Sequence, residues 1–402
     1  MIADTSAVQE QYESFPFPPL AIGSLKHVKP VPADAQFAFQ YVYGRSAPGK
    51  LRILDAGCGT GFSTLKLAQA NPQAEIIAID FSRTSLNIAQ QRLTAAKLQD
   101  QIQFIQSDLQ DLPDLGLFDY IHCSGVLHHL PDPVSGLKHL RRSLNPDGIA
   151  YLMVYSARAR QDIQMIQTIL YSLWRDHSNW QEGLMLCRMF FKGLAREHPL
   201  RRHYENAIQV ATELLGREAA QSDAFVVDTW LQRCEHLWTA NQWLDLLRSH
   251  EWFPARWLDE QAWDLRPYLP ALPDYVAHLD EFTKMEILDQ LRPAQNFAKY
   301  LTPQAVSIAD PVLNTKNVPH TFAFVTLHQG TESLLDNGRG VQIRLSQQDL
   351  QQWKSIDGQT TWHDIWLKML QLNEAFSVEV SQAFARQLLD YHCVWQKNPG
   401  AI

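Results

Sequence analysis

Residues 51–80 read LRILDAGCGTGFSTLKLAQANPQAEIIAID, and this stretch decides the fold. The apolar run Leu51, Ile53, Leu54 stops at Asp55 and gives way to Gly57-Cys58-Gly59-Thr60-Gly61. Three alternating glycines suit a sharp, close-packed turn, because a residue without Cβ lets another backbone approach. Phe62, Leu65, Ala68 and Gln69 then recur at helical spacing, and Ile76, Ile77, Ala78 and Ile79 form the unbroken apolar run of a buried parallel strand. The reading is strand, turn, helix and strand, a βαβ unit. Asp80 closes the second strand, where an acid accepts hydrogen bonds from ribose hydroxyls. A dinucleotide site uses G-x-G-x-x-G with the helix dipole on a pyrophosphate. Here the spacing is G-x-G-x-G behind Asp55, and an acid in that place repels phosphate and suits an ammonium.

The run Asp55-Ala56-Gly57-Cys58-Gly59-Thr60-Gly61, followed by Asp80, resembles the first motif and the next acid of the class I S-adenosylmethionine-dependent methyltransferases, with the resemblance covering residues 45–155. It implies an α/β fold with a Rossmann-like seven-stranded sheet, and S-adenosyl-L-methionine as cofactor. It further implies backbone contacts from Ala56, Gly57 and Gly59 to the methionine end, with Asp55 near the ammonium. In the same family pattern Asp80 and Phe81 belong to the cofactor site. Asp108 bonds the adenine amino group with Leu109 packed beside it, and Ser124 follows the fourth strand.

Taken in order, residues 1–45 form an N-terminal arm whose Tyr12, Phe15, Pro16, Phe17, Pro18 and Pro19 are too proline-rich for a helix or central strand. Similarity to other methyltransferases with added domains implies a flap near the cofactor; the plainer alternative is an arm pinned to the core. The cofactor-binding core spans 46–159, with strands at 102–106, 118–123 and 149–155, a helix beginning at Ser82 or just after, and another at Pro133. Asn145-Pro146-Asp147-Gly148 reads as a turn. Residues 160–250 read as a helical insertion with the length of a lid, and 251–329 complete the sheet, with strands expected at 252–258 and 320–327 around a second insertion. Residues 330–402 read as a separate module of three short helices behind a strand, reminiscent of a winged helix, with more acids than bases. The large additions are weakly similar to those of bacterial protein lysine methyltransferases.

The chain has 402 residues, of which 46% are apolar, enough for a main domain and additions. Its net charge of −8 argues against a nucleic-acid surface, which needs clustered Lys and Arg. Five scattered cysteines lack C-x-x-C spacing, so neither a zinc site nor a disulfide framework is expected, nor any other metal site. The apolar runs are strand-sized, and the chain is read as cytoplasmic, off the membrane and possible as a homodimer.

Methyl transfer from a sulfonium is an in-line displacement in which alignment matters most. An oxygen or carbon acceptor also needs a base, and His128 and His129, after the fourth strand, are the candidate catalytic residues. Tyr12, Tyr155 and Arg158 stand nearby in the expected fold. The expected function is methylation of O, N or C on a small-molecule metabolite. Its rivals are methylation of a protein substrate and a scaffold that binds cofactor without turnover.

Overall fold

The apolar run of residues 76–79 becomes the second of five parallel strands. They are β1 (Arg52–Ala56), β2 (Glu75–Asp80), β3 (Ile102–Gln106), β4 (Phe118–Ser124) and β5 (Leu144–Tyr155). Two further strands, β6 (Phe253–Trp257) and β7 (Asn296–Thr302), run antiparallel at one edge, and the order across the sheet is β3-β2-β1-β4-β5-β7-β6. The computed structural model describes residues 5–23, 31–258, 261–292, 296–306, 318–321, 326–329, 333–336, 342–372, 377–390 and 394–397.

Helices α1 (Thr5–Ser14) and α2 (Ala35–Tyr43) precede the sheet. Within it, α3 (Phe62–Ala70), α4 (Arg83–Ala95) and α5 (Pro133–Ser143) connect successive strands. Ser82 caps α4 by accepting from the Ser85 amide, as a serine before a helical run predicts. The expected turn at 145–148 is absorbed into β5, which pairs with β4 across a register shift between Phe118 and Tyr120. The helical run holds α6 (Gln161–Leu173), α7 (Trp180–Gly193), α8 (Pro199–Leu215), α9 (Arg217–Ala220), α10 (Asp223–Trp230) and α11 (Ala240–Ser249).

The sequence-based division of that run needs one correction. Helix α11 is part of the sheet's own packing, since Ala240, Trp243, Leu244 and Leu247 join the cluster that holds Leu54, Ile121 and Leu152. The inserted block is therefore α6–α10, whose separate core surrounds Trp174 and Trp230. These tryptophans, with Trp243 and Trp252, are fully buried core and not pocket lining.

A second correction concerns the last strand. Residues 296–302 occupy the place expected for 320–327: Ala150 pairs with Leu301 and Tyr155 with Asn296. Lys299 hides this strand from a hydropathy reading, yet it is 6% exposed with its ammonium 4.1 Å from the Trp257 ring, so a cation–π contact replaces water. Residues 322–325 lie outside the described residues, while Val318–Thr321 and Thr326–Gln329 belong to two smaller sheets.

The chain divides into two compact units, Met1–Val28 with Lys50–Ala305, and Lys29–Gly49 with Val306–Ile402. The second thus takes α2 out of the expected N-terminal arm. It contains helices Gln347–Lys354, Trp362–Leu372 and Val378–Asp390 around a core of Trp362, Ile365, Trp366 and Leu388. No helix among the described residues is long and apolar enough to cross a membrane.

Phe297 is fully buried on β7, packed against the stacked pair Trp257 and Trp263. Replacing it with Ala is expected to lower stability by about 3–5 kcal/mol in urea unfolding, whereas a loss below about 1 kcal/mol would mean that this strand is not core.

Candidate functional site

The residues singled out from the sequence lie along one edge of the sheet. Asp108 and Leu109 follow β3, Asp80 and Phe81 close β2, and Asp55 to Gly59 span the end of β1 and its turn. Ser124 ends β4 and His128 and His129 follow it. In parallel α/β sheets this carboxyl edge is where ligands sit.

The turn is closed from three sides. Gly57, Gly59 and Gly61 have φ of 76°, 52° and 80°. A Cβ on Gly57 would lie 2.3 Å from Val126 Cγ2, one on Gly59 2.4 Å from Phe17 O, and one on Gly61 2.7 Å from Ala89 Cβ. Each glycine is needed because a different segment presses on it. The turn's amides are committed internally: Gly57 and Cys58 donate to Ile79 O, Gly59 to Asp80 Oδ2 at 2.8 Å, and Gly61 to Cys58 O. An anion would find no free nest here, in keeping with a site not made for pyrophosphate.

Asp55 stands differently from its expected place beside an ammonium. Its Oδ2 accepts from Ser63 Oγ at 2.8 Å and Thr64 Oγ1 at 2.7 Å, and its Oδ1 lies 3.2 Å from His122 Nδ1. These bonds pin the first turn of α3 to β1 and β4, so the residue shapes the turn from beneath. Asp80 accepts the Gly59 amide on one oxygen and the Ser82 amide on the other, leaving lone pairs for further donors. Burial is the main cause that raises its carboxyl from its ordinary value to about 6, against the lowering effect of those two amides. Asp108 is half-buried and accepts the Gln110 amide at 2.8 Å, with buried Leu109 beside it.

The two histidines are enclosed. His129 Nδ1 lies 2.9 Å from Cys234 O and so carries the proton, which leaves Nε2 facing Gln232 Nε2 at 3.4 Å. Neither ring nitrogen of fully buried His128 has a partner among the described residues, and its ring centroid lies 3.9 Å from that of Tyr155. Burial drives His129 down to about 3 and His128 well below the usual histidine range, so both are neutral and poorly suited to take a proton.

What the sequence did not reveal is the company they keep. The Tyr12 hydroxyl donates to Asp228 Oδ1 at 3.0 Å and accepts from Gln232 Nε2 at 2.9 Å. Burial raises Asp228 to about 7. Arg160 pairs with Glu235 and lies over the Tyr155 ring at 4.1 Å, and the His236 amide donates to His128 O. Arg158 instead turns away to Glu286 and Asp289. Residues 228–236 sit about a hundred positions from the histidine loop, and no local pattern marks them. Among the described residues no group of three or more His, Cys, Asp or Glu is arranged to hold a metal.

S-adenosylmethionine presents an adenine amino group, a ribose diol and an amino-acid end. The edge offers an acid after β3, an acid with spare lone pairs after β2 and a close-packed glycine turn after β1, in that spatial order. Residues 49–187 match a family model described as a methyltransferase domain. These residues carry a methyltransferase domain.

A protein of Synechococcus sp., described as uncharacterized, is 39% identical over 209 residues, covering 50% of this chain and 49% of its own. A tRNA U34 carboxymethyltransferase of Campylobacter lari is 31% identical over 131 residues, 32% of this chain and 44% of that one. The chain thus spans about half the length of these curated relatives. Among solved structures, PKMT2 from Rickettsia typhi, also solved with AdoHcy, covers 91% of this chain and 75% of its own at a TM-score of 0.62 and 16% identity. That similarity establishes a shared fold.

If Asp80 holds the ribose diol, it does so best in its charged form, with lone pairs on both oxygens. Since its carboxyl is raised to about 6, affinity of the methyltransferase domain for S-adenosylhomocysteine is expected to be full near pH 8 and to fall as the pH drops through about 6. Asp80→Asn should weaken binding about 10–100-fold and remove that pH dependence. Calorimetry that finds the same affinity at both ends of the range would take Asp80 out of the site.

Proposed function

We propose that this protein transfers a methyl group from S-adenosylmethionine to a small metabolite whose acceptor atom is enclosed between the ends of β4 and β5 and the chain from α10 to His236. The observation that carries this reading is a buried polar cluster with unspent hydrogen-bonding capacity. His128 has two unpartnered nitrogens, and Asp228 uses Oδ1 for Tyr12 while its Oδ2 makes no hydrogen bond among the described residues. Buried polar groups are normally paired, so the two His128 nitrogens are open to a bound molecule. The enclosure of His128 and Asp228, at 0% and 6% exposure, supports a compact acceptor.

S-adenosylmethionine supplies a methyl carbon on a positively charged sulfur. The chain's part is to align the acceptor and to take its proton. As the acceptor's lone pair forms the bond to the methyl carbon, the carbon–sulfur bond breaks with its electrons going to sulfur, and the acceptor's proton passes to the Asp228 carboxylate. With its carboxyl near neutrality, Asp228 is better matched to that task than either histidine. Tyr12 and Gln232 hold it in place.

A second reading, methylation of a protein side chain, rests on the similarity of the large additions to those of bacterial protein lysine methyltransferases. Label from methyl-tritiated S-adenosylmethionine, followed in a cell extract, separates the two. Label in the low-mass fraction supports a metabolite, and label in protein bands a side chain. The absence of label from both, in a protein that binds S-adenosylhomocysteine, would leave a cofactor-binding scaffold.

On whichever acceptor is labelled, Asp228→Asn is expected to lower kcat about 100-fold or more with S-adenosylhomocysteine affinity unchanged. The wild-type rate should rise with pH through about 7 as the carboxyl ionises. A variant as fast as wild type would show that the base lies elsewhere.

A further inference from the structure

The proline-rich arm crosses the cofactor turn, and Arg92 holds it there. This arginine lies on α4, is 1% exposed, and spends its guanidinium on three backbone carbonyls. Its Nε donates to Thr60 O at 2.9 Å, Nη1 to Ala21 O at 3.0 Å and Nη2 to Leu20 O at 2.7 Å. One acceptor belongs to the glycine turn and two to the arm. Thr60 completes the joint from the other side: its amide donates to Phe17 O at 3.0 Å and its hydroxyl to Pro18 O at 2.8 Å. Phe17 O is also the atom that leaves Gly59 no room for a Cβ.

The arm continues back into α1, which is tied to the other segments of the same edge. Gln9 Nε2 donates to Phe81 O, Ser82 Oγ to Tyr12 O, and Gln110 Nε2 to Thr5 Oγ1. Glu13 accepts the amides of Arg83 and Thr84 at the start of α4. Residues 5–21 therefore touch the ends of β1, β2 and β3 in turn. A flap that swings freely would not spend so many bonds on the element it covers.

We infer that Arg92 is a positioning residue for the cofactor: it clamps the arm onto the glycine turn, so that the turn holds its ligand-bound shape only while the arm is seated. Arg92 acts through Thr60 and the arm and does not touch the cofactor itself. A planar guanidinium serves three diverging carbonyls at once, which an ammonium cannot do with the same fixed geometry. The inference rests on the methyltransferase reading, because it concerns the same cofactor site.

The test uses the full chain and S-adenosylhomocysteine. Arg92→Met is expected to weaken binding at least tenfold, mainly through faster dissociation in stopped-flow displacement, and Arg92→Lys to restore part of it. Thr60→Val should weaken binding too, and Thr60→Val with Arg92→Met should cost less than the product of the single effects, since both loosen one joint. Hydrogen exchange separates positioning from general damage. In Arg92→Met the Thr60 amide, which donates to Phe17 O, should lose protection while the β1 amides keep theirs. If Arg92→Met frees the Thr60 amide and still binds within twofold of wild type, the inference is overturned. Equal loss of protection in β1 would overturn it as well, by showing a merely structural role. A folded wild type that binds no S-adenosylhomocysteine would sink the methyltransferase reading and this inference with it.

Discussion

The carboxylate of Asp80 takes the amide of Gly59 on one oxygen and that of Ser82 on the other, and this pair of bonds joins the glycine turn to the end of β2 and the start of α4. The arrangement explains the spacing of the motif. For the Gly59 amide to reach Asp80, the chain must double back within a few residues, which places Gly57, Gly59 and Gly61 at positive φ. The same doubling brings the turn against Val126, Phe17 O and Ala89, so no side chain fits at any of the three. A buried carboxylate that has given only part of its capacity to the protein is then a natural partner for a diol.

Burial also redistributes the chemistry at the end of β4. Desolvation disfavours whichever form of a group is charged, so one enclosed environment pushes histidines down and acids up. Burial holds His128 and His129 neutral, while Asp228, in the same cluster, moves to about 7. The groups that suggest themselves as bases in solution thus lose basicity once they are enclosed. His129 keeps a part by orientation, as its Nδ1 is fixed by Cys234 O and its Nε2 faces Gln232.

The arm and the inserted block do related work from opposite sides. Tyr12 bridges them, with its carbonyl bonded to Ser82 beside the cofactor edge and its hydroxyl bonded to Asp228 in the acceptor cluster. The proposed cofactor and acceptor sites therefore share one residue, Tyr12, through its backbone on one side and its side chain on the other, and movement of the arm would be felt in both.

By itself the sequence determined the βαβ opening, the five parallel strands and the acids at their ends, because those features follow from periodicity and turn chemistry within some thirty residues at a time. The run from Ile76 to Ile79, the glycines of 57–61 and the Ser82 cap are where local pattern and tertiary structure agree. The seventh strand was not legible: Lys299 interrupts its apolar run, and its contact with the Trp257 ring, forty-two positions earlier, lies beyond the reach of local pattern. Nor did local pattern distinguish α11, which packs on the sheet, from the inserted helices before it, since both are amphipathic. Asp55 looked like a ligand for an ammonium until Ser63, Thr64 and His122 were seen to take its oxygens. Tertiary structure alone decided the company of the histidines and the seat of the arm, because Asp228, Gln232 and Arg92 reach their partners across 32 to 220 residues of chain. Burial and pairing over such distances are set by how elements stack, and no short stretch of sequence encodes them.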